Sequence, residues 1–514
     1  MTTLVKNVDK SRMAKNTLLL YIRMAFMMLV GFYTVRLLLQ ALGVDDYGLY
    51  NVIFGMVSMF TFFSGAMATT VQRFLCHEMG QHNVENAAKV FRVSIFLFLI
   101  LSGIVLVLAE TVGLWFVCNK LKVPPGRASV AVIIYQISIF MTLFKILQIP
   151  YIAVVTSHEE MGVFAKISIL DSFLHLASVA ALKFVFYDRL ICFSSFYTAS
   201  NLVILLLYVC YCSKKYSMCR MSFKVHKEFL KPMASFFSWS LFGAVANMSK
   251  QQGLNLLLNV FCGVVLNATW GIAIQVGGAV SQFVASFQQA FNPQILKSYA
   301  EPDKKLFVEL LQSCSKYSFL LIWLAALPVL MQTEFMLKLW LGEKLPKDAV
   351  IFTRLMMIYV LFDAICGPLW VAVQATGNIK RYQIEISAII SLSFVFSLIA
   401  LNLGAPAYSV AAINTGVNGS TLLYRIFYLR RTIYFPAGSY FFKTLLPCML
   451  AATISSGCGV LLLPHSGDRW YAILLYFAVI TLANLVIICF TALSRDERLA
   501  LKNYMQRKLF NAVK

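Results

Sequence analysis

The sequence predicts an all-α polytopic membrane protein of about 14 transmembrane helices, with both termini on the cytoplasmic side. Three observations predict it. Hydrophobic residues fill 60% of the 514 positions, mean hydropathy is +0.76, and charged residues make up only 13%, where a soluble protein carries about a quarter. Apolar runs of about 20 residues recur along the whole chain, each long enough to cross a roughly 30 Å hydrocarbon core as a helix. The basic residues, finally, are shared unequally between alternate breaks. Of 44 Lys and Arg, 30 lie on or beside the N-terminus, the even-numbered breaks and the tail, against 8 on the odd-numbered breaks.

Taken in order, residues 1–15 are basic and polar and lead into an apolar run too long for a signal-peptide core, so that run is expected to stay as the first helix. The expected spans are 16–39, 47–71, 93–116, 129–154, 164–187, 190–211, 234–258, 266–290, 314–337, 351–375, 382–402, 406–429, 443–463 and 470–492. Breaks such as KVPPGR at 122–127 and LPHSGDR at 463–469 carry the Pro and Gly that end helices. The excess of cations on one side places both termini in the cytoplasm by the positive-inside rule. The net charge of +22 is thus mainly a topology signal with some attraction to anionic headgroups, and no nucleic-acid partner is expected. The tail at 493–514 could lie on the membrane as a basic amphipathic helix. The twelve cysteines form no CxxC pair, and HEE at 158–160 lacks the second His of a zinc signature, so neither a disulfide framework nor a metal site is expected.

The stretch LLLQALGVDDYGLYNVIFGM at 37–56 returns 220 positions later as LLLNVFCGVVLNATWGIAIQV, which puts Gly43 on Gly263, Gly48 on Ala268 and Tyr50 on Trp270. At a shift of 218, QIPYIAVVTSHEEMG (148–162) lies over CGPLWVAVQATGNIK (366–380), with Pro150 on Pro368. Two matches at nearly one offset indicate a repeat of six helices. An even number makes the copies parallel, about an axis along the membrane normal. The expected organisation is an N-lobe at 16–212, a linker at 213–233, a C-lobe at 234–429, two further helices at 430–492 and the tail at 493–514, with a central cleft between the lobes.

The order RLLLQALGVDDYGLYNVIFGM, VQRFLCHEMG and then TSHEEMG after the fourth span resembles the bacterial polysaccharide (O-antigen or capsule repeat-unit) flippases. These belong to the MATE-like multidrug/oligosaccharidyl-lipid/polysaccharide (MOP) exporter superfamily. The resemblance covers essentially the whole chain and marks the superfamily better than the substrate. It implies two rocking six-helix lobes in the bacterial inner membrane. The implied cargo is an undecaprenyl-pyrophosphate-linked oligosaccharide, and the implied neighbours are membrane lipids and the polysaccharide polymerase machinery. A cation-coupled multidrug antiporter and a peptidoglycan-precursor flippase are the alternatives. No cofactor is expected, beyond coupling to a proton or sodium gradient. An enzyme is not expected: the breaks leave no room for a catalytic or nucleotide-binding domain.

The polar residues within the spans are the candidate site. The second span carries Asn51, Gly55, Ser58, Gly65, Thr69 and Gln72, near a heptad face interrupted by Phe62. The seventh carries Asn247, Gln251, Asn255 and Asn259 at steps of four, with Lys250 beside them. The eighth carries Gln275, Gln282 and Gln289 at steps of seven. Such stripes either join helices or line a wet cavity, and amides suit sugar hydroxyls because they both donate and accept. Arg23 and Lys250 are the expected ligands of the pyrophosphate, unless Arg23 snorkels inward; Arg36 either joins them or snorkels outward. Lys145 and Asp363 occupy equivalent repeat positions with opposite sign. They are expected to pair with each other across the lobes, or with Asp171 or Glu385. Asp171 and His175, one turn apart, form either a hydrogen-bonded structural pair or a proton carrier.

Overall fold

The computed structural model describes residues 10–493, apart from 59–61, 120, 122, 124–125, 186, 220–225, 343–344, 347 and 463–469, together with 497–498. The extreme N-terminus, the tail beyond Arg498 and the side chains of Asn51, Ser58, Phe62 and Ala268 lie outside the described residues. Among the described residues the secondary structure is helical throughout, without strands. Ten helices among the described residues are long and apolar enough to cross a membrane, which makes this a multi-pass membrane protein. The expected second, seventh, twelfth and fourteenth spans are not among those ten. The seventh and twelfth carry the amide-rich faces described below, and the fourteenth has a shorter apolar stretch, Leu475–Thr491.

Helix α1 (Lys10–Ser58) turns at Gly43, where φ is 80° and ψ 173°. It is followed by α2 (Phe62–Gly80) and α3 (Val84–Leu108), which continues through a π-helical turn (Ala109–Gly113) into α4 (Leu114–Asn119). Next come α5 (Ala128–Ser157), α6 (Met161–Ala180) and α7 (Arg189–Lys215). The second half opens with α8 (Lys227–Ala300), which turns at Gly263 with φ 82° and ψ 176°. Then follow α9 (Lys305–Met331), α10 (Thr333–Leu341), α11 (Ala349–Thr376), α12 (Lys380–Asn402) and α13 (Tyr408–Ile433). A short α14 (Ala437–Tyr440), α15 (Leu446–Leu462) and α16 (Trp470–Thr491) close the chain.

The two glycine corners have one backbone geometry. Only glycine takes a positive φ with extended ψ without strain, because any Cβ there meets its own backbone. Two further features recur at the repeat offset. The turns after α5 and α11 each carry a left-handed residue, Glu159 at φ 61° and Gly377 at φ 81°. Thr198 Oγ1 donates to the Ile137 carbonyl at 3.4 Å, and Thr415 Oγ1 donates to the Leu355 carbonyl at 3.2 Å. These bonds fasten α7 to α5 and α13 to α11.

Helices α5 and α11 both run on past Pro150 and Pro368. A helix-interior proline frees the carbonyl four residues earlier, and inside a membrane that group must find another donor. For Pro368 the donor is visible: Gln288 Nε2 reaches the Ala364 carbonyl at 2.9 Å and Ser318 Oγ at 3.1 Å. A Cβ on Gly367 would stand 2.4 Å from Gln288 Oε1, so Gly367 admits that amide.

By packing, the chain forms two compact units. The first holds Met1–Ala244 with Gln289–Lys304 and Gln374–Gln383; the second holds Val245–Gln288, Lys305–Val373 and Ile384–Lys514. This division differs from one made by sequence repeat, since helix ends from the second half pack into the first unit. The first core gathers Leu49 and Ile53 of α1, Ile134 and Tyr135 of α5 and Leu190 of α7. The second gathers Leu258, Trp270 and Ala273 of α8, Phe352 of α11 and Val410 of α13. Ile53 and Ile134 thus correspond to Ala273 and Phe352, one small and one large side chain in place of two medium ones. In the second unit α15 and α16 fasten to α9: Trp323 Nε1 donates to Ser455 Oγ at 2.7 Å, and Asn484 Nδ2 to the Trp323 carbonyl at 3.3 Å.

Candidate transport site

In the second unit the corner at Gly263 brings both halves of α8 onto α11 and α13. A cavity of about 370 Å³ belongs to the first unit, and one of about 210 Å³ to the second. The latter is lined by Asn247, Lys250, Gln251 and Trp270 of α8, Tyr359 of α11 and Asn414 of α13. Steps of four on α8 place Asn247 and Gln251 on one face with Lys250 at its edge. Lys250 Nζ approaches Tyr359 Oη at 3.4 Å and sits 5.3 Å from its ring centroid. Asp363, one turn beyond Tyr359, and Arg425 of α13 stand within electrostatic reach of one another, and Asp363 within reach of Lys250.

Two buried atoms of this cavity have no hydrogen-bond partner among the described residues, the Trp270 indole Nε1 and Asn414 Oδ1. A lone donor and a lone acceptor are costly unless a ligand or water bonds them. Asn247, Gln251, Gln275 and Gln282 are exposed at the surface of their unit, and Asn255 is half-buried. Asn255, Gln275 and Gln282 lie outside the lining of this cavity. Exposed amides at membrane depth need water or a polar ligand, because hydrocarbon offers no bond.

The first unit places its charges among rings. The Arg23 guanidinium lies 4.5 Å from the Phe164 centroid, with Nε and Nη1 buried and without a hydrogen-bond partner. Lys145 Nζ donates to Tyr197 Oη at 3.2 Å, and His175 stacks on the same ring at 4.1 Å. Asp171 Oδ1 and His175 Nε2 are buried without a hydrogen-bond partner among the described residues. The imidazole stacks on Tyr197, with Lys145 within electrostatic reach of both residues. Lys145 and Asp363 therefore each have charged neighbours within their own unit. Glu385 accepts a hydrogen bond from the Tyr424 hydroxyl. Arg36 is exposed.

Tyr359, Asn414 and Arg425 were missed from sequence. Arg425 lies within α13 and donates to the Cys366 carbonyl at 2.9 Å. The signal was present: Asn414 and Asn418 are four apart in a span otherwise read as apolar. Asn418 Nδ2 donates to the Tyr359 carbonyl at 3.1 Å and so holds α13 against the cavity wall.

This architecture is the fold of the MATE transporters of the MOP superfamily. It matches an outward-facing multidrug resistance MATE family transporter of that superfamily with a TM-score of 0.70 and 13% identity, over 82% of this chain and 95% of that one. A MATE structure in the bent conformation aligns with a TM-score of 0.72 and 14% identity, over 83% and 95% of the two chains. A MOP superfamily transporter from Pyrococcus furiosus, whose binding pocket of reverse polarity suggests a different function, aligns with a TM-score of 0.69 and 12% identity over 84% and 96%. No protein-family model matches the sequence, and no curated protein is similar to it at a significant level.

Proposed function

We propose that this protein is an exporter of the bacterial inner membrane that flips undecaprenyl-pyrophosphate-linked oligosaccharide to the outer leaflet for cell-surface polysaccharide synthesis. The observation that carries this reading is the cavity of the second unit, where Lys250 stands beside the amides of Asn247 and Gln251 and beside the orphaned Trp270 and Asn414 atoms. A point charge suits a phosphate, and groups that donate and accept suit hydroxyls. Arg23, whose guanidinium Nε and Nη1 have no hydrogen-bond partner among the described residues, is the cation the first unit offers to a phosphate. Gln275, Gln282 and Asn255 extend the polar surface for the sugar. Transport proceeds by alternating access without a cofactor, coupled to a proton or sodium gradient. Asp171 and His175 are the groups offered for a proton, while Lys145, Asp363 and Glu385 hold charge balance within each unit. The product feeds the polysaccharide polymerase machinery.

A second reading, a cation-coupled multidrug antiporter, is favoured by the Tyr359 and Trp270 rings of the cavity with Asp363 within electrostatic reach of its Lys250, since aromatic faces and carboxylates hold organic cations. Proteoliposomes separate the two. The flippase reading expects transbilayer movement of a fluorescent undecaprenyl-pyrophosphate oligosaccharide. A static lipid with exchange of an organic cation against sodium or protons would replace it with the antiporter.

A further inference from the structure

The first unit closes one end of its helices with two contacts at repeat-related positions. In one, Glu159 in the turn between α5 and α6 accepts from Lys297 Nζ at 2.8 Å and from Gln294 Nε2 at 3.0 Å, both on the last turns of α8. In the other, the turn between α11 and α12 carries Gly377, the equivalent of Glu159, and it faces Arg73 on α2. Arg73 corresponds to Pro293 at the 220-residue offset, which sets it at the level of α2 that matches Gln294 and Lys297 on α8. One contact therefore has a carboxylate for its cation. The other has a glycine in its place.

Among the described residues no carboxylate hydrogen-bonds Arg73. Its side chain is 9% exposed, its guanidinium lies 4.4 Å from the Phe74 ring and 5.8 Å from the Phe236 ring, and its Nε has no hydrogen-bond partner. Its only hydrogen bond among the described residues is a long one, 3.5 Å from Nη2 to the Ala375 carbonyl. Glu78, farther along α2, is within electrostatic reach of it. A Cβ on Gly377 would meet Nη2 at 2.3 Å, so the missing side chain is what lets the guanidinium lie there. Beside it opens the cavity of about 370 Å³, whose lining includes Phe236, Trp239, Asn378 and Lys380 and no acidic residue. Lys380 Nζ sits 5.3 Å from the Trp239 centroid.

We infer that this cavity is an anion site: a phosphate-bearing group, either free or the headgroup of an acidic phospholipid, binds Arg73 and Lys380 and supplies the charge that Glu159 supplies in the other contact. Arg73 offers its free Nε–H edge, Lys380 a point charge and Asn378 an amide. The occupant bridges α2, the start of α8 and the α11–α12 turn. Binding stabilises the arrangement in which these three meet, since a ligand favours the state that binds it.

Thermal unfolding of the purified full-length protein in detergent tests this in two arms. One titrates inorganic phosphate against chloride at constant ionic strength; the other titrates a short-chain phosphatidylglycerol against the matching phosphatidylcholine. A saturable rise in Tm is expected in at least one arm, and which arm responds identifies the source. Arg73→Gln should weaken half-saturation at least tenfold. Asn378→Asp, which places a carboxylate in the cavity, should abolish the rise, while Glu159→Gln should retain it. If Arg73→Gln does not fold, Asn378→Asp decides alone. No rise in either arm, or a rise that survives in the folded site variants, overturns the assignment.

Discussion

The two repeats share a backbone and differ in what they enclose. Gly43 and Gly263 make the same corner, Thr198 and Thr415 make the same inter-helix bond, and Glu159 and Gly377 make the same left-handed turn. In the first unit Lys145, His175 and Arg23 are each set against aromatic rings. In the second unit Lys250 stands in an amide-lined cavity with bonding groups left open, and Asp363 lies within electrostatic reach of it. Backbone torsions and buried bonds constrain both copies alike, because breaking either costs a few kcal/mol. Cavity-lining side chains are not bound by these shared torsions and bonds, and there the copies differ.

If the second cavity holds the cargo's anion, the comparison breaks first at Lys250. Lys250→Ala should lower the rate of lipid-linked oligosaccharide transport at least tenfold, a loss of about 1.4 kcal/mol of transition-state stabilisation. Lys145→Ala, at a site already satisfied by Tyr197, should lower it less, and equal losses would erase the distinction. The shared corners give the next effect. Gly43→Ala and Gly263→Ala should each destabilise the protein by about 1–3 kcal/mol, read as paired drops in Tm. Unequal drops would show that one corner is relieved by its surroundings.

A comparable or somewhat smaller change is expected at Gln288. Gln288→Leu leaves the Ala364 carbonyl that Pro368 frees without its donor, which should cost about 1–3 kcal/mol by thermal unfolding. The smallest effect lies outside the membrane, at the turn after α5. Burial alone would raise the Glu160 carboxyl, but the Lys215 ammonium and the Tyr211 and Tyr216 hydroxyls outweigh it and hold the carboxyl below its usual value. A depressed carboxylate contributes stability above its unfolded pKa of roughly 4.3 and loses it as pH falls through the lower folded value. Glu160→Gln should therefore flatten the acid limb of Tm against pH below about 4.5 and, because Lys215 is half exposed, shift Tm only slightly at neutral pH.

Much of this was legible in sequence where one residue type carries the geometry. The corners were readable because glycine alone tolerates their torsions, and the paired prolines because their ring fixes φ. Arg23 and Lys250 stood out because charge within an apolar run is expensive. Boundaries were less legible: α3 begins at Val84 and α2 runs to Gly80, since helices continue past the apolar segment into polar surroundings that periodic hydropathy does not mark. Tyr359, Asn414 and Arg73 were illegible for a different reason. Each matters through a neighbour far away in the chain, and a tyrosine, an asparagine or a flanking arginine is unremarkable until that neighbour is known.

The central claim is that the amide-lined cavity of the second unit receives a phosphate-bearing, sugar-carrying lipid through Lys250. The most direct measurement is the rate of transbilayer movement of fluorescent undecaprenyl-pyrophosphate oligosaccharide in proteoliposomes, with wild type beside Lys250→Ala and folding checked by Tm. Movement in wild type and its loss in the folded variant is the predicted result. Equal movement by both proteins, or none by wild type while an organic cation exchanges, would contradict it.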